Sequence, residues 1–356
     1  MRFIRGIILF LVVATITFYI LEKNDIKPEE AIDSINHIIT QKKDDVSKKT
    51  VPENILVNDK FNGDLYKWVG KSTTELLEQL GEPVRKDLSS YGYTWWVYTN
   101  SSTQYIQFGI MEDTIQTIYA TGKDINIDPL SIGESYETIN SEQEILDEVT
   151  YSSGISSYTF QLEEKDRTMR PLIKLSNDLF LQAYFDTFTN KLSSVRIMTA
   201  EVLLRQRPYG LQYRGELPEE VTLTDEEWIK VEEGMEQQIF DITNVIRHSF
   251  DKGTLTWEDN ASEVAFLHSK DMSENNYFSH YSLNGDGLKE RLEAKDINYF
   301  SAGENIAAQY VDAPAAVEGW LNSEGHRKAL LHDDYTHLGV GVYRLYYTQN
   351  FLSKPF

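Results

Sequence analysis

Hydrophobic positions along this chain change their period several times, and each change marks an element. Residues 6–21 show no period and no charge: Ile, Leu, Val and Phe run almost continuously behind Arg2 and Arg5, the pattern of a basic leader before an apolar helix. The run is slightly short of the ~20 residues that a bilayer core requires, but Phe3, Ile4 and a snorkelling Arg5 extend it. Thr17-Phe18-Tyr19-Ile20-Leu21 lacks the small residues of a cleavage site. Residues 1–22 are therefore expected to remain as a single-pass signal-anchor with a cytoplasmic N-terminus, the alternative being secretion after cleavage. Residues 23–64, rich in Lys, Asp, Glu and Asn, read as a stalk.

Near Val69 a mixed pattern begins. Leu76, Leu77 and Leu80 follow Val69-Gly70-Lys71-Ser72 at helical spacing and stop at Gly81-Glu82-Pro83, which predicts one short helix. β-rich runs at 91–98, 105–110 and 115–119, separated by Asn100-Ser101-Ser102 and Glu112-Asp113, predict an antiparallel meander. Gly133-Glu134-Ser135, a run at 158–162 and final runs at 179–185 and 192–197 repeat that order. Residues 65–205 are thus expected to form an α+β module with an internal duplication. Trp95 and Trp96 would face opposite sides of their strand, one in the core, the other covering a neighbouring element or meeting a partner.

Residues 206–223 carry Pro208, Gly210, Gly215 and Pro218 and read as a linker. Thr224-Asp225-Glu226-Glu227 is then a capping box that opens a long helix, with Trp228, Val231, Met235, Ile239, Ile242 and Ile246 along one side. A second helix is predicted over 261–275, where Val264, His268 and Met272 share a face; His268 reads as a packed core histidine. Ser323 is placed to cap a further helix through Arg327, Leu330 and Leu331, and Ser279 has a similar reading. The last strands are expected at 339–347 and 348–352.

Composition narrows the function classes. The formal charge of −22, from 56 acidic against 34 basic residues, repels phosphate backbones, so nucleic acid is excluded as a partner. With no cysteine there are no disulfides, no thiolate chemistry and no lipid attachment at a cysteine. The 21 Tyr and 16 Phe suit sheet surfaces and cleft walls. No Gly-x-Ser-x-Gly elbow and no Gly-rich phosphate loop occurs.

Four motifs close the chain in order: Tyr277-Phe278-Ser279-His280, Ala302-Gly303-Glu304-Asn305-Ile306, Trp320-Leu321-Asn322-Ser323-Glu324-Gly325-His326-Arg327 and Leu338-Gly339-Val340-Gly341-Val342. Together they resemble the CAP superfamily (cysteine-rich secretory proteins, antigen 5 and pathogenesis-related proteins) in its cysteine-free bacterial form, over roughly residues 225–356. The module before it resembles the CAP-associated domain of Gram-positive proteins. The resemblance implies an α-β-α sandwich for residues 224–356, so the fold class expected for the chain is α+β. It also implies that His280, Glu304 and His326 converge on the floor of a central cleft, with Ser323 where many relatives carry a second acid.

Two imidazoles and a carboxylate are the ligand set of a hydrolytic zinc site, with Glu304 as candidate general base. The competing reading is a buried polar network without turnover. Because position 323 is Ser and Glu324 would point elsewhere on a helix, the cleft set is incomplete and binding is favoured over catalysis. His337 is a further candidate at the cleft border, His248 and His332 read as helix-end residues, and His37 belongs to the stalk. The function expected is an extracytoplasmic, membrane-anchored module that binds a lipid, peptide or envelope ligand. The alternatives are a metal-dependent hydrolase and a structural partner in an envelope assembly.

Overall fold

A computed structural model describes residues 63–100 and 102–354. The apolar run at 6–21, the stalk and His37 lie outside them, and among the described residues no helix is long and apolar enough to cross a membrane.

The first module opens with a 3-10 turn, Asp64–Trp68, and helix α1, Thr73–Leu80. A capping box between Ser72 and Glu75 starts α1, and Gly81, at φ +75°, ends it in a conformation that glycine adopts without strain. Strands β1 (Arg85–Leu88), β2 (Thr94–Thr99), β3 (Tyr105–Met111) and β4 (Thr114–Thr121) form the meander. There follow α2 (Tyr136–Gln143), capped by Ser135, β5 (Glu148–Ser153), β6 (Ser156–Gln161), α3 (Glu164–Met169), β7 (Leu172–Lys174), β8 (Leu179–Asp186), β9 (Lys191–Thr199), α4 (Ala200–Gln206) and β10 (Gly210–Arg214). Seven strands make one sheet in the order β1-β2-β3-β4-β9-β8-β7, so the final hairpin of each half meets the other through β4 and β9. β5, β6 and β10 form a second sheet.

Two features depart from the hydrophobic pattern. β1, Arg-Lys-Asp-Leu, has no apolar alternation to reveal it, because its inward residue is the buried Asp87. The stretch read as linker contains β10, which pairs with β6 from Gly210↔Gln161 to Arg214↔Ser157. Trp95 is buried, while Trp96 packs against the module's core with the Lys86 ammonium 4.0 Å above its ring, so it covers a neighbouring element.

The second domain comprises α5 (Asp225–Ser249), β11 (Thr256–Trp257), α6 (Asp259–Glu274), α7 (Leu288–Glu293), β12 (Ser301–Ala308), α8 (Ala313–Leu321), α9 (Glu324–Leu330), β13 (His337–Tyr343) and β14 (Tyr346–Ser353). Its sheet runs β11-β13-β14-β12, antiparallel except for the short parallel pair β11·β13. Helices α6 and α7 cover one face, and α5, α8 and α9 pack on the other, so the α-β-α sandwich stands. The Leu338-Gly339-Val340-Gly341-Val342 run explains how. Its branched residues are buried among the α5-side residues, whereas a Cβ on Gly339 or Gly341 would fall 2.2 Å from Ser262 N or 1.8 Å from Phe266 N, so glycine alone lets α6 lie on the strand. The last hairpin turns at Arg344 and Leu345, both left-handed (φ +52° and +61°), which places β13 and β14 several residues from the expected break at 347. A two-residue turn of this kind normally carries Asn-Gly, and without it the sequence offers no signal.

The two modules share one core: Val97, Tyr105, Tyr119 and Tyr184 of the first cluster with Val231, Ile242, Trp320 and Val340 of the second. Polar groups cross the same seam. Arg196 meets Asp312 at 2.8 Å with both side chains buried, Arg327 meets Asp186 at 2.8 Å, and Gln238 donates to Asp87 at 3.0 Å. Glu318 accepts from Ser193, Ser194 and Tyr119, hydroxyls that offset the cost of burying a carboxyl.

Candidate functional site

His280 sits on the loop after α6, which leaves the helix through Asn276 in a left-handed conformation. The loop is held from beneath by His268: its Nε2–H donates to the Ser279 carbonyl at 3.0 Å, and the residue is only 1% exposed. Burial pushes the His268 pKa down, and the neutral tautomer with hydrogen on Nε2 satisfies that bond. Ser279 accepts from Tyr281 N, a local turn rather than the expected helix cap.

Glu304 projects from the middle of β12, opposite Asn350 on β14. Gly303 precedes it because Tyr335 occupies the space a side chain would need, with its hydroxyl 2.4 Å from an added Cβ. Each oxygen of Glu304 has a partner. Oε1 accepts from His280 Nδ1–H at 2.8 Å, and Oε2 accepts from Arg291 Nη2 at 2.5 Å. Arg291, on α7, also donates to the carbonyls of His280 and Asp286, each at 3.1 Å. The guanidinium therefore ties the carboxylate, the His280 loop and the start of α7 together.

His326, in the first turn of α9, completes the group, its ring centroid 6.4 Å from that of His280. Burial first, and then the neighbouring His280, lower its pKa, so it stands as a neutral imidazole. Its carbonyl accepts from Asn305, itself bonded to Gln349, so the α9 end is pinned to the sheet. Ser323 occupies the N-cap position of α9, but its hydroxyl makes no capping bond, contrary to expectation. Glu324 is exposed and pairs with Lys328 at 2.8 Å, turned to the outside of its helix.

His280, Glu304 and His326 are thus brought together. A guanidinium already stands on the carboxylate where a cation would sit, and among the described residues no group of three or more His, Asp or Glu side chains is placed to hold a metal ion. His337 belongs elsewhere: its Nδ1 pairs with Thr336 Oγ1 at 2.8 Å, and its charged neighbours are Lys354 and Glu258. His332 lies after the end of α9, its ring tilted against Tyr335 with centroids 4.6 Å apart. The sequence reading missed Arg291 and the support role of His268. A signal for Arg291 existed, since it shares an inward helical stripe with Leu288 and Leu292, where a charge requires a buried partner.

Residues 69–209 match the family model described as CAP-associated N-terminal, and residues 240–353 that of the cysteine-rich secretory protein family. The membrane protein YlbC of Bacillus subtilis is 48% identical over 82% of this chain and 84% of its own length. A solved extracellular protein of Bacillus anthracis that contains an SCP domain is 42% identical, superposes with a TM-score of 0.78, and covers 86% of this chain and 100% of its own. A cysteine-rich secretory protein of Staphylococcus aureus is 25% identical with a TM-score of 0.72 over 84% of this chain and 95% of its own.

Proposed function

The chain belongs to the cysteine-rich secretory protein (CAP) family, with a CAP-associated domain ahead of its CAP domain, and from that premise we propose that it is a binding module of the cell exterior. Its ligand, an amphipathic lipid or peptide of the envelope, would sit at the mouth formed by His280, His326 and the Glu304–Arg291 pair.

One observation carries this reading: both oxygens of the Glu304 carboxylate are already engaged by the protein's own side chains, while the loop around it is apolar and open. Both Glu304 oxygens are engaged, which leaves no free carboxylate to activate water and weighs against hydrolysis. On the His280 loop Phe278, Tyr281 and Leu283 are 54%, 66% and 69% exposed, a cluster that a chain in water keeps for contact with something else. The run at 6–21 and the membrane assignment of YlbC support attachment to the membrane.

Immobilised full-length protein, offered an envelope lipid extract and separately a peptide digest of envelope proteins, is expected to retain one of them saturably. The combined His280→Ala and Tyr281→Ala variant, checked for native circular dichroism, should retain about tenfold less or lower still. Retention of neither extract, or equal retention by the variant, overturns the reading.

A further inference from the structure

We propose that the seam between the two modules holds a second binding site, for a neutral oligosaccharide, independent of the His280 site. A cavity of about 690 Å³ opens there, within the ~300–1,000 Å³ typical of small-ligand sites and at the kind of domain junction where such sites concentrate. The first module supplies Arg170 and Tyr209; the connection from β12 into α8 supplies Gln309 and Tyr310, and α8 itself Gly319.

Charge matching fixes the ligand class. Arg170 is neutralised by Asp166 at 2.8 Å and Arg207 by Glu220 at 3.3 Å, and Glu318 is held by its three hydroxyl donors. What remains at the wall is one exposed residue of each sign, Lys165 and Glu163. These two are opposite in sign, so the wall carries no net charge, and because both are exposed to water a charged ligand would lose its hydration for little return. A neutral, hydroxyl-rich ligand loses less.

The remaining wall suits sugar rings, which present an apolar C–H face and a polar rim. The half-buried Tyr310 offers the first contact, lying against Gly319, where an added Cβ would come within 2.2 Å of the phenol oxygen, while the buried Tyr209 closes the wall behind it beneath the Arg170 guanidinium at 5.3 Å. Amide side chains offer the second. Gln309 is exposed, holds a left-handed backbone at φ +63° that Gly or Asn would adopt more cheaply, and its side chain makes no hydrogen bond among the described residues. A strained, non-glycine residue with an unused amide at the mouth of a cavity is what a hydroxyl-recognising site requires.

The test is calorimetric titration of the full-length protein with neutral tetramers of N-acetylglucosamine and of glucose. Saturable binding of one of them is expected, little changed by salt. Gln309→Ala, at an exposed position that does not threaten folding, and Gly319→Val, which forces the Tyr310 ring out of place, should each weaken it about tenfold or more. His280→Ala should leave it unchanged, which separates this site from the one proposed above. Absence of binding, binding indifferent to both seam variants, or binding only of a strand-forming peptide along the open edge of β10 overturns the proposal.

Discussion

Arg291, 11% exposed in its side chain, carries more of the candidate site than either histidine. It compensates the charge of Glu304, whose side chain is 4% exposed, and its second nitrogen fixes the His280 loop through a carbonyl. Breaking a largely buried ion pair by removing one partner costs roughly 3–5 kcal/mol, because the other charge is stranded. Arg291→Ala is therefore expected to lower the unfolding free energy by about 3 kcal/mol, read as a lower urea midpoint with an unchanged slope. Arg291→Lys should recover little, since an ammonium cannot span the carboxylate and two carbonyls in one plane. A midpoint within error of wild type for Arg291→Ala would show that Glu304 does not depend on it. The residues that named the site, His280, Glu304 and His326, were legible only as separate motifs. Their convergence depends on β12, α9 and a loop brought together by the sheet.

Helix α5 shows what an element can and cannot reveal. Its capping box, with Thr224 accepting from Glu227 N and Glu227 from Thr224 N, acts within four residues, and so was readable. Its apolar stripe was readable for the same reason. The use of its acidic residues was not. Glu232 and Glu236, one turn apart, accept the backbone N–H of Arg344 and Val342 and so dock the helix on the β13–β14 hairpin. Burial first, then Glu232 and Glu233, raise the Glu236 pKa from 4.5 to about 8 despite the Val342 bond. The folded protein thus retains a proton that the unfolded chain releases between about pH 4.5 and 8, and this contribution to stability is lost as pH rises through that window. Glu236→Gln keeps the acceptor but cannot ionise. Its thermal midpoint should change less than wild type between pH 5 and pH 8, and parallel profiles for the two proteins would sink the assignment.

At the scale of the whole molecule the modules are not beads on a linker. One apolar cluster spans them, and the buried Arg196–Asp312 pair crosses their seam, with Arg196 near the rings of Tyr119 and Tyr184. Asp312 also caps α8 through Ala315 N, so Asp312→Ala removes a cap and strands a guanidinium. Calorimetry on wild type should show one transition for both modules; the variant should lose roughly 3–5 kcal/mol within that single transition. Two separable transitions in wild type would mean that the shared core does not couple them. The chain's local patterns determined the starts of α1 and α5 and most of its strands, because periodicity and caps act over a few neighbouring residues, whereas the α-β-α sandwich and the three polar residues of the candidate site followed from the resemblance carried by its four C-terminal motifs. Only the tertiary structure decided that Arg291 pairs with Glu304, that β10 continues the first module, that Arg344 and Leu345 turn the last hairpin, and that the two modules enclose a cavity. Each of those depends on groups far apart in sequence, whose desolvation is tolerable only where a distant partner happens to meet them.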